Sequence, residues 1–266
     1  MKLDTVILAS NENPNYIDFW PVVSSAWLEM GVEPILVYTG NKKLHLEGNI
    51  INFKSHQLDS AFVAQNIRIL FPGLLENKNC IVSDIDSLPL SRDYFVNSIN
   101  KISDDAFVIY RPDAGVPKNM ISMMWNAANS STWKEIFRIE AEKDIYKKLN
   151  RWYRNNYSFQ GSGWYTDQIK LQKYLSKFSK KNSDRVIKLN DFETGFNRFN
   201  RNRIDEHLEK LLHQEETFTS FHMPRPYKEN EELINLVFNK HKHLLQINVF
   251  QNVSTLRTPS LTLIFR

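Results

Sequence analysis

Short continuous apolar runs over residues 4–10, 34–38, 50–53, 79–84 and 106–110 predict buried strands. Between them the pattern changes to helical spacing. Ile17, Trp20, Val23, Trp27 and Met30 recur along one helical face, with Pro21 in the first turn and Gly31 to end the element. Residues 58–70 read as a second helix, and Ser91 or Asp93 opens a third, after an extended Leu88-Pro89-Leu90 turn. Beyond residue 110 helical patterns dominate, at about 119–139, 141–154, 164–178, 203–215 and 228–245, with short strands at 185–189 and 261–265. This alternation predicts an α/β fold with a mostly parallel central sheet flanked by helices and a helix-rich C-terminal half. No linker divides the chain, so one domain over 1–266 is expected, with halves 1–115 and 116–266. Ligands of such sheets sit beyond the carboxyl ends of the strands. Polar clusters occupy three such ends: Ser10-Asn11-Glu12-Asn13, Thr39-Gly40-Asn41 and Ser83-Asp84-Ile85-Asp86.

Composition narrows the chemistry. The single cysteine, Cys80, excludes an internal disulfide and a cysteine-based zinc site. It lies in an apolar run and reads as a core thiol, which suits a reducing compartment. The N-terminal apolar run is too short for a signal peptide, and no 18-residue apolar stretch occurs. A cytoplasmic protein is expected, with peripheral membrane contact left open. Charge is unevenly spread: residues 1–100 carry 7 Lys/Arg against 11 Asp/Glu, whereas 141–190 carry 12 against 4. The basic stretch reads as a solvated helical face, a membrane-surface patch or a contact for an anionic glycan acceptor. Nucleic acid is not an expected partner, because no reader motif accompanies the charge.

Asp84 and Asp86 carry the strongest chemical signal. Two carboxylates one residue apart, just past an apolar strand, can hold one hard divalent cation and leave room for phosphate oxygens and water. Charge at the mouth of a core strand is costly without a partner. The segment from Cys80 through Asp84-Ile85-Asp86-Ser87-Leu88-Pro89 to Phe95 resembles the DxD segment of GT-A glycosyltransferases, and further short motifs come in that family's order. The resemblance implies a GT-A-like, Rossmann-related fold and transfer of a sugar from a nucleoside diphosphate sugar, UDP-sugars favoured, to a glycan or other hydroxyl acceptor. It implies a divalent cation, Mn²⁺ favoured and Mg²⁺ acceptable, on Asp84, Asp86 and His222. The nucleotide-sugar would meet Ser10, Asn11, Asn13, Tyr16, Arg68, Ser83 and Asp84, and Arg225 would neutralise the leaving diphosphate.

The cluster Gln160-Gly161-Ser162-Gly163-Trp164-Tyr165-Thr166-Asp167-Gln168 offers an aromatic plate, a carboxylate and an amide. Trp164 and Gln168 are the candidate acceptor contacts, and Asp167 the candidate base. The family's commoner pattern has adjacent acidic residues here; Thr166 precedes Asp167 instead, and either could simply cap a helix. Met120 to Met124, Trp125 and Ser131-Thr132-Trp133 fit core packing or a cleft wall, and Arg198, Arg201 and Arg203 are further phosphate candidates without a ranking. A sugar-nucleotidyltransferase is the main rival, but residues 10–13 lack its glycine-rich loop and lysine. A non-enzymatic glycan-binding module would not need Asp84, Asp86 and His222 together.

Overall fold

The computed structural model describes residues 1–153, 157–158 and 160–246. Among them run ten strands: β1 (Thr5–Ser10), β2 (Glu33–Tyr38), β3 (Asn49–Asn52), β4 (Asn79–Val82), β5 (Ser87–Pro89), β6 (Phe107–Ile109), β7 (Asn126–Asn129), β8 (Val186–Lys188), β9 (Arg198–Asn200) and β10 (Ser220–His222). Seven form a central sheet in the order β3-β2-β1-β4-β7-β6-β8. β1 pairs in parallel with β2 and β4, β2 with β3, and β6 with β8; β7 alone runs antiparallel to both neighbours. The sheet is therefore mixed α/β and mostly parallel, as the alternation predicts.

Both faces of this sheet are covered, which is why its strands read as continuous apolar runs. Side chains alternate across it: Val6 and Leu8 face one core and Ile7 the other, all without exposure. The first core holds Trp20 and Trp27 of the helix Trp20–Glu29, which ends before Gly31 at φ 75°, the left-handed terminus the sequence predicts. The second holds Phe62 and Ile67 of the helix Ser60–Ile67, Trp133 and Phe137 of Ser130–Phe137, and Leu171 and Leu175 of Thr166–Ser179. Cys80 is buried, and burial raises its thiol to about 12, in keeping with a core role.

The expected helix over 119–139 is corrected. Residues Asn126–Asn129 form β7, and the helix covers only Ser130–Phe137. Asn-Ala-Ala-Asn has no β-branched signal, but its four residues are buried between β4 and β6, where small side chains fit. Its asparagines bond locally: Asn126 Nδ2 donates to Ser122 O at 2.9 Å, with Asn126 Oδ1 left buried and unpartnered among the described residues, and Asn129 Oδ1 accepts from Ser131 N at 3.0 Å to cap the helix. The other second-half α-helices among the described residues are Glu142–Trp152, Thr166–Ser179, the single turn Asp191–Thr194, Ile204–Leu212 and Glu231–Leu245. The expected strand at 261–265 and Arg154 lie outside the described residues.

A second sheet, β5-β10-β9, leaves no visible periodicity in the sequence. Each strand has three residues, and the middle ones, Leu88, Phe221 and Phe199, are in register and fully buried. The Phe199 and Phe221 rings lie 4.6 Å apart between centroids. Among the described residues no helix is long and apolar enough to cross a membrane.

Candidate active site

β4 is the fourth of seven strands, and the chain leaves its carboxyl end at Ser83-Asp84 beside the end of β1. A cavity of about 390 Å³ opens there. Ser10, Asn11, Asn13 and Tyr16 come to it from β1 and the following loop, Gln65 and Arg68 from the end of the Ser60–Ile67 helix, and Trp164, Asp167 and Gln168 from the start of Thr166–Ser179. Asp84, Asp86, His222 and Arg225 complete the set, so every candidate for the cation, nucleotide-sugar, base and acceptor except Ser83 lines one cavity, while of the three unranked arginines Arg198 and Arg201 line it and Arg203 does not. Ser83 lies beneath it, fully buried, where its Oγ accepts from Trp125 Nε1 at 3.0 Å. That bond locks Trp125, whose φ of 60° is a left-handed conformation rare for a bulky residue.

The small sheet explains how His222 reaches a residue 136 positions earlier. β10 pairs antiparallel with β5, placing His222 opposite Ser87, and Met223 N donates to Asp86 O at 3.0 Å. His222 Nε2 is then 3.5 Å from Asp86 Oδ2. On the other side β10 pairs with β9, which brings Arg198 and Arg201 to the same cavity. Arg201 Nη1 donates to Asp86 Oδ2 at 3.1 Å and to Met223 O at 3.2 Å, and Arg225 Nε is 4.0 Å from the same Asp86 oxygen. Burial pushes the Asp86 carboxyl up, but the His222 hydrogen bond and the charges of His222, Arg201 and Arg225 outweigh it and hold its pKa at about 2.

Asp84 has a different partner. Arg68 forks between two carboxylates: Nη1 pairs with Asp84 Oδ1, and Nη2 with Asp167 Oδ2 at 2.7 Å. Burial acts against the guanidinium charge, but the two aspartates raise its pKa further. Among the described residues no three metal-ligating side chains gather, so the expected trio is represented by the Asp86–His222 pair with Asp84 turned to Arg68. Asp167 is almost wholly buried; its other oxygen accepts from Gln168 N at 2.8 Å, and burial raises its pKa against the pull of Arg68. Its carboxylate is thus both a helix-start acceptor and an ion-pair partner.

The donor-side loop uses part of its polarity on itself. Asn11 Oδ1 accepts from Asn13 N at 3.1 Å, and Asn13 Oδ1 accepts from Asn15 N at 3.0 Å, capping the turn Pro14–Ile17. Tyr16 carries Arg225 over its ring at 4.9 Å and accepts a hydrogen bond from Arg225 Nη1 at its hydroxyl. On the opposite wall, Trp164 stacks on Tyr157 with ring centroids 6.3 Å apart, and Tyr157 OH donates to Gln65 Oε1 at 2.8 Å. Gly163, at φ 79°, permits this: a Cβ there would stand 3.2 Å from the Tyr157 ring. Ser122, Met123 and Met124 supply an unranked part of the wall, and Arg198 Nη1 lies 2.9 Å from Met124 Sδ. Arg203, the third arginine of its group, is exposed and pairs with Glu206. Its neighbours Arg198 and Asn200 flank buried Phe199, an alternation that could have ranked Arg198 above it.

No family model matches this sequence, and no curated protein matches it. Solved structures of similar fold include the glycosyltransferase GlyE of Streptococcus pneumoniae TIGR4, at 13% identity and a TM-score of 0.49, covering 92% of this chain and 62% of that one. The chain therefore spans less than two thirds of GlyE's length. The galactosyltransferase LgtC, solved with donor and acceptor sugar analogues, is 11% identical at a TM-score of 0.46, with 87% and 95% coverage. A Drosophila β1,4-galactosyltransferase 7 variant, solved with manganese, UDP-Gal and xylobiose, is 11% identical at a TM-score of 0.36, with 70% and 64% coverage. These likenesses are of chain path, and the chemistry rests on the residues lining the cavity.

Proposed function

We propose that this cleft binds a nucleoside diphosphate sugar and transfers its sugar to a hydroxyl acceptor. The observation that carries this reading is the charge lining: four arginines, Arg68, Arg198, Arg201 and Arg225, surround three aspartates and His222 at the carboxyl ends of β1 and β4. A diphosphate is the ligand whose charge such a set neutralises, and guanidinium forks suit its oxygens. A module that binds neutral glycans has no use for this concentration of arginine beside three carboxylates.

The donor chemistry fits a hard divalent cation of the Mn²⁺ or Mg²⁺ kind. Asp86 and His222 would hold it, their ligand atoms being 3.5 Å apart, with Asp86 Oδ2 giving up the hydrogen bond it accepts from Arg201 at 3.1 Å; phosphate oxygens and water supply the remaining positions in such sites. When bound, the cation would neutralise charge developing on the leaving diphosphate. Arg201 and Arg225 support the same charge from the protein side, and Tyr16 offers a plate for the base. Arg68 fixes Asp84 and Asp167 at one spacing, so the donor and acceptor walls are tied by one side chain. Trp164 and Gln168 orient the acceptor. Asp167 is the candidate base; its burial-raised pKa makes it a stronger base than an ordinary aspartate, and Gln168 N holds one of its oxygens.

The test is a panel of nucleotide-sugars with Mn²⁺ or Mg²⁺, scored by thermal shift and by hydrolysis. UDP and Mn²⁺ together should raise the melting temperature more than either alone, and at least one sugar donor should be hydrolysed. A panel without any stabilising donor would overturn the reading. Asp167→Asn should reduce transfer far more than nucleotide binding, and transfer at the parental rate would leave Asp167 a positioning residue only.

A further inference from the structure

We infer that a second, strongly basic groove on the helical side of the molecule binds an anionic glycan chain, the extended part of an acceptor whose hydroxyl end enters the cleft; this rests on the transfer reading above. The groove encloses about 530 Å³ between the helices Glu142–Trp152 and Thr166–Ser179 and the end of Ser130–Phe137. Five cations line it: Arg138, Lys148, Arg151, Lys177 and Lys181. Its single acidic residue, Glu135, is already paired with Arg185 at 3.2 Å.

A solvated helical face explains this charge less well. Such a face interleaves acids with bases, and no acid of the described residues forms an ion pair with these five. Helix termini account for part of it, because three helices end here and each end carries roughly −0.5 of a charge. Three ends offset only about 1.5 of the five positive charges. Lys148 packs over the Tyr174 ring at 5.2 Å, and its pKa is lowered by burial first and then by Arg151, so the cations are held close despite repulsion. Arg138 occupies a left-handed position at φ 52°, at the end of its helix, where glycine or asparagine is the usual residue. A guanidinium is retained where the backbone favours none.

The shape and lining point to a glycan chain. Among the aromatic residues here Tyr174 is half-buried and reaches both the groove and the adjoining 190 Å³ hollow, whereas Phe178 and Trp152 are buried beneath Arg185 and Lys170 at 4.8 and 5.6 Å. A sugar ring meets Tyr174 with its apolar face while its anionic groups meet the surrounding cations. Lys170, Lys173, Lys177 and Lys181 succeed one another along the Thr166–Ser179 helix and its end at three- and four-residue intervals, which makes one stripe. Gln168, in the cleft, is about 15 Å along the same helix from Phe178. A concavity of this depth between helices would meet a planar lipid surface only at its rim.

The decisive experiment measures binding of a size-fractionated oligogalacturonate, a neutral malto-oligosaccharide of the same length, and vesicles of phosphatidylserine in phosphatidylcholine. The parent should bind the oligogalacturonate, more weakly as salt rises, and bind the neutral chain poorly. The variant Arg138→Gly/Lys177→Ser/Lys181→Ser should lose about tenfold in that affinity at low salt. Its melting temperature and its hydrolysis of nucleotide-sugar should match the parent, because glycine relieves the backbone at 138 and none of the three residues lines the cleft. Equal binding of neutral and anionic chains, an unchanged affinity in the variant, or binding to vesicles without binding to the oligogalacturonate would each overturn the groove. If the parent hydrolyses no donor while the charge-dependent binding persists, the transfer reading has failed and the groove stands as a glycan site.

Discussion

The two sheets build the cleft by different means. The seven-stranded sheet is covered on both faces, and it contributes to the cleft through residues at and just past the ends of its strands: Ser10 and Asn11 at β1, Asp84 at β4. Its central strands β1 and β4 carry buried side chains on both faces, so the core fixes them without help from the site. The three-stranded sheet sets one in-register row of fully buried apolar side chains, Leu88, Phe221 and Phe199, across its middle, with Ser87, Pro89 and Ser220 buried beside it. Residues on either side of that row, His222 and Arg198, face the cleft, and Asp86, Arg201 and Arg225 lie within a few positions of it. The large sheet is a scaffold with chemistry at its edge. In the small sheet the chemistry and the scaffold are adjacent residues, so disturbing one disturbs the other.

The largest expected effect is at Asp86, where the small sheet's charges meet. Asp86→Ala removes the acceptor of Arg201 and the neighbour of His222 and Arg225. Transfer should fall by about 10³-fold or more, as when a charge-stabilising group is removed. The stabilisation by UDP with Mn²⁺ should vanish, and the fold should weaken by about 1–3 kcal/mol because the half-buried Arg201 and Arg225 lose a charged partner. A variant that keeps the metal-dependent thermal shift would place the cation elsewhere. Next is Phe221→Ala, expected to cost about 3–5 kcal/mol in urea unfolding by deleting the centre of the buried row. If the comparison is right, this core change also lowers donor binding. A comparable truncation in the large sheet, Ile7→Ala, should cost stability and leave donor affinity of the folded protein near parental.

The same contrast decides what is legible in the sequence. In the first 110 residues β1, β2, β4 and β6 are buried on both faces, so their apolar runs stand out, and Asp84 and Asp86 are marked by coming just after one of them. β9 and β10, at three residues each, show too little of any period, and His222 stands out only through the motif around it. β7 reads as helix because Ala127 and Ala128 favour one locally, and only the neighbours β4 and β6 make them strand. The partner of Asp84 is also hidden. The position of Arg68 ahead of β4 suggests a role toward the nucleotide, whereas its fork to Asp84 and Asp167 depends on a helix nearly a hundred residues later.

Arg68 therefore tests whether the scaffold side tolerates change better. Arg68→Lys keeps one charge and loses the fork, so it cannot hold Asp84 and Asp167 together. Transfer should fall by about 10- to 100-fold, less than at Asp86, with nucleotide affinity changing by less than transfer. A loss as large as that of Asp86→Ala would contradict the division between the two sheets.

The smallest expected effect is on acid stability, and it belongs to the small sheet. Two buried histidines hold its backbone as neutral acceptors. His207 Nδ1 accepts from Asn200 N of β9 at 2.9 Å, its ring between Phe199 and Phe218 at 5.2 Å from each. His241 Nε2 accepts from Phe218 N, just ahead of β10, at 3.1 Å, while its Nδ1 faces Val237 O at 2.8 Å. Burial lowers both pKa values; Arg203 and Lys210 add to this at His207 against Glu206 and Glu216, and His243 adds to it at His241. Protonation would destroy each acceptor, so the folded state resists it while the unfolded chain takes up protons at an ordinary histidine pKa of about 6.5. The stability these bonds contribute is fully present above that value and is lost as pH falls from there through the lowered folded values. The urea midpoint should therefore drop between pH 7 and pH 5, in a range where carboxylate titration has barely begun. Hydrogen exchange should locate the loss: amides of Asn200 and Phe218 should open before those of β1 and β4. His241→Gln removes one titration and, if glutamine's oxygen accepts the Phe218 amide in its place, flattens the pH profile. A profile unchanged by that substitution, or early opening of β1, would detach the acid response from the small sheet.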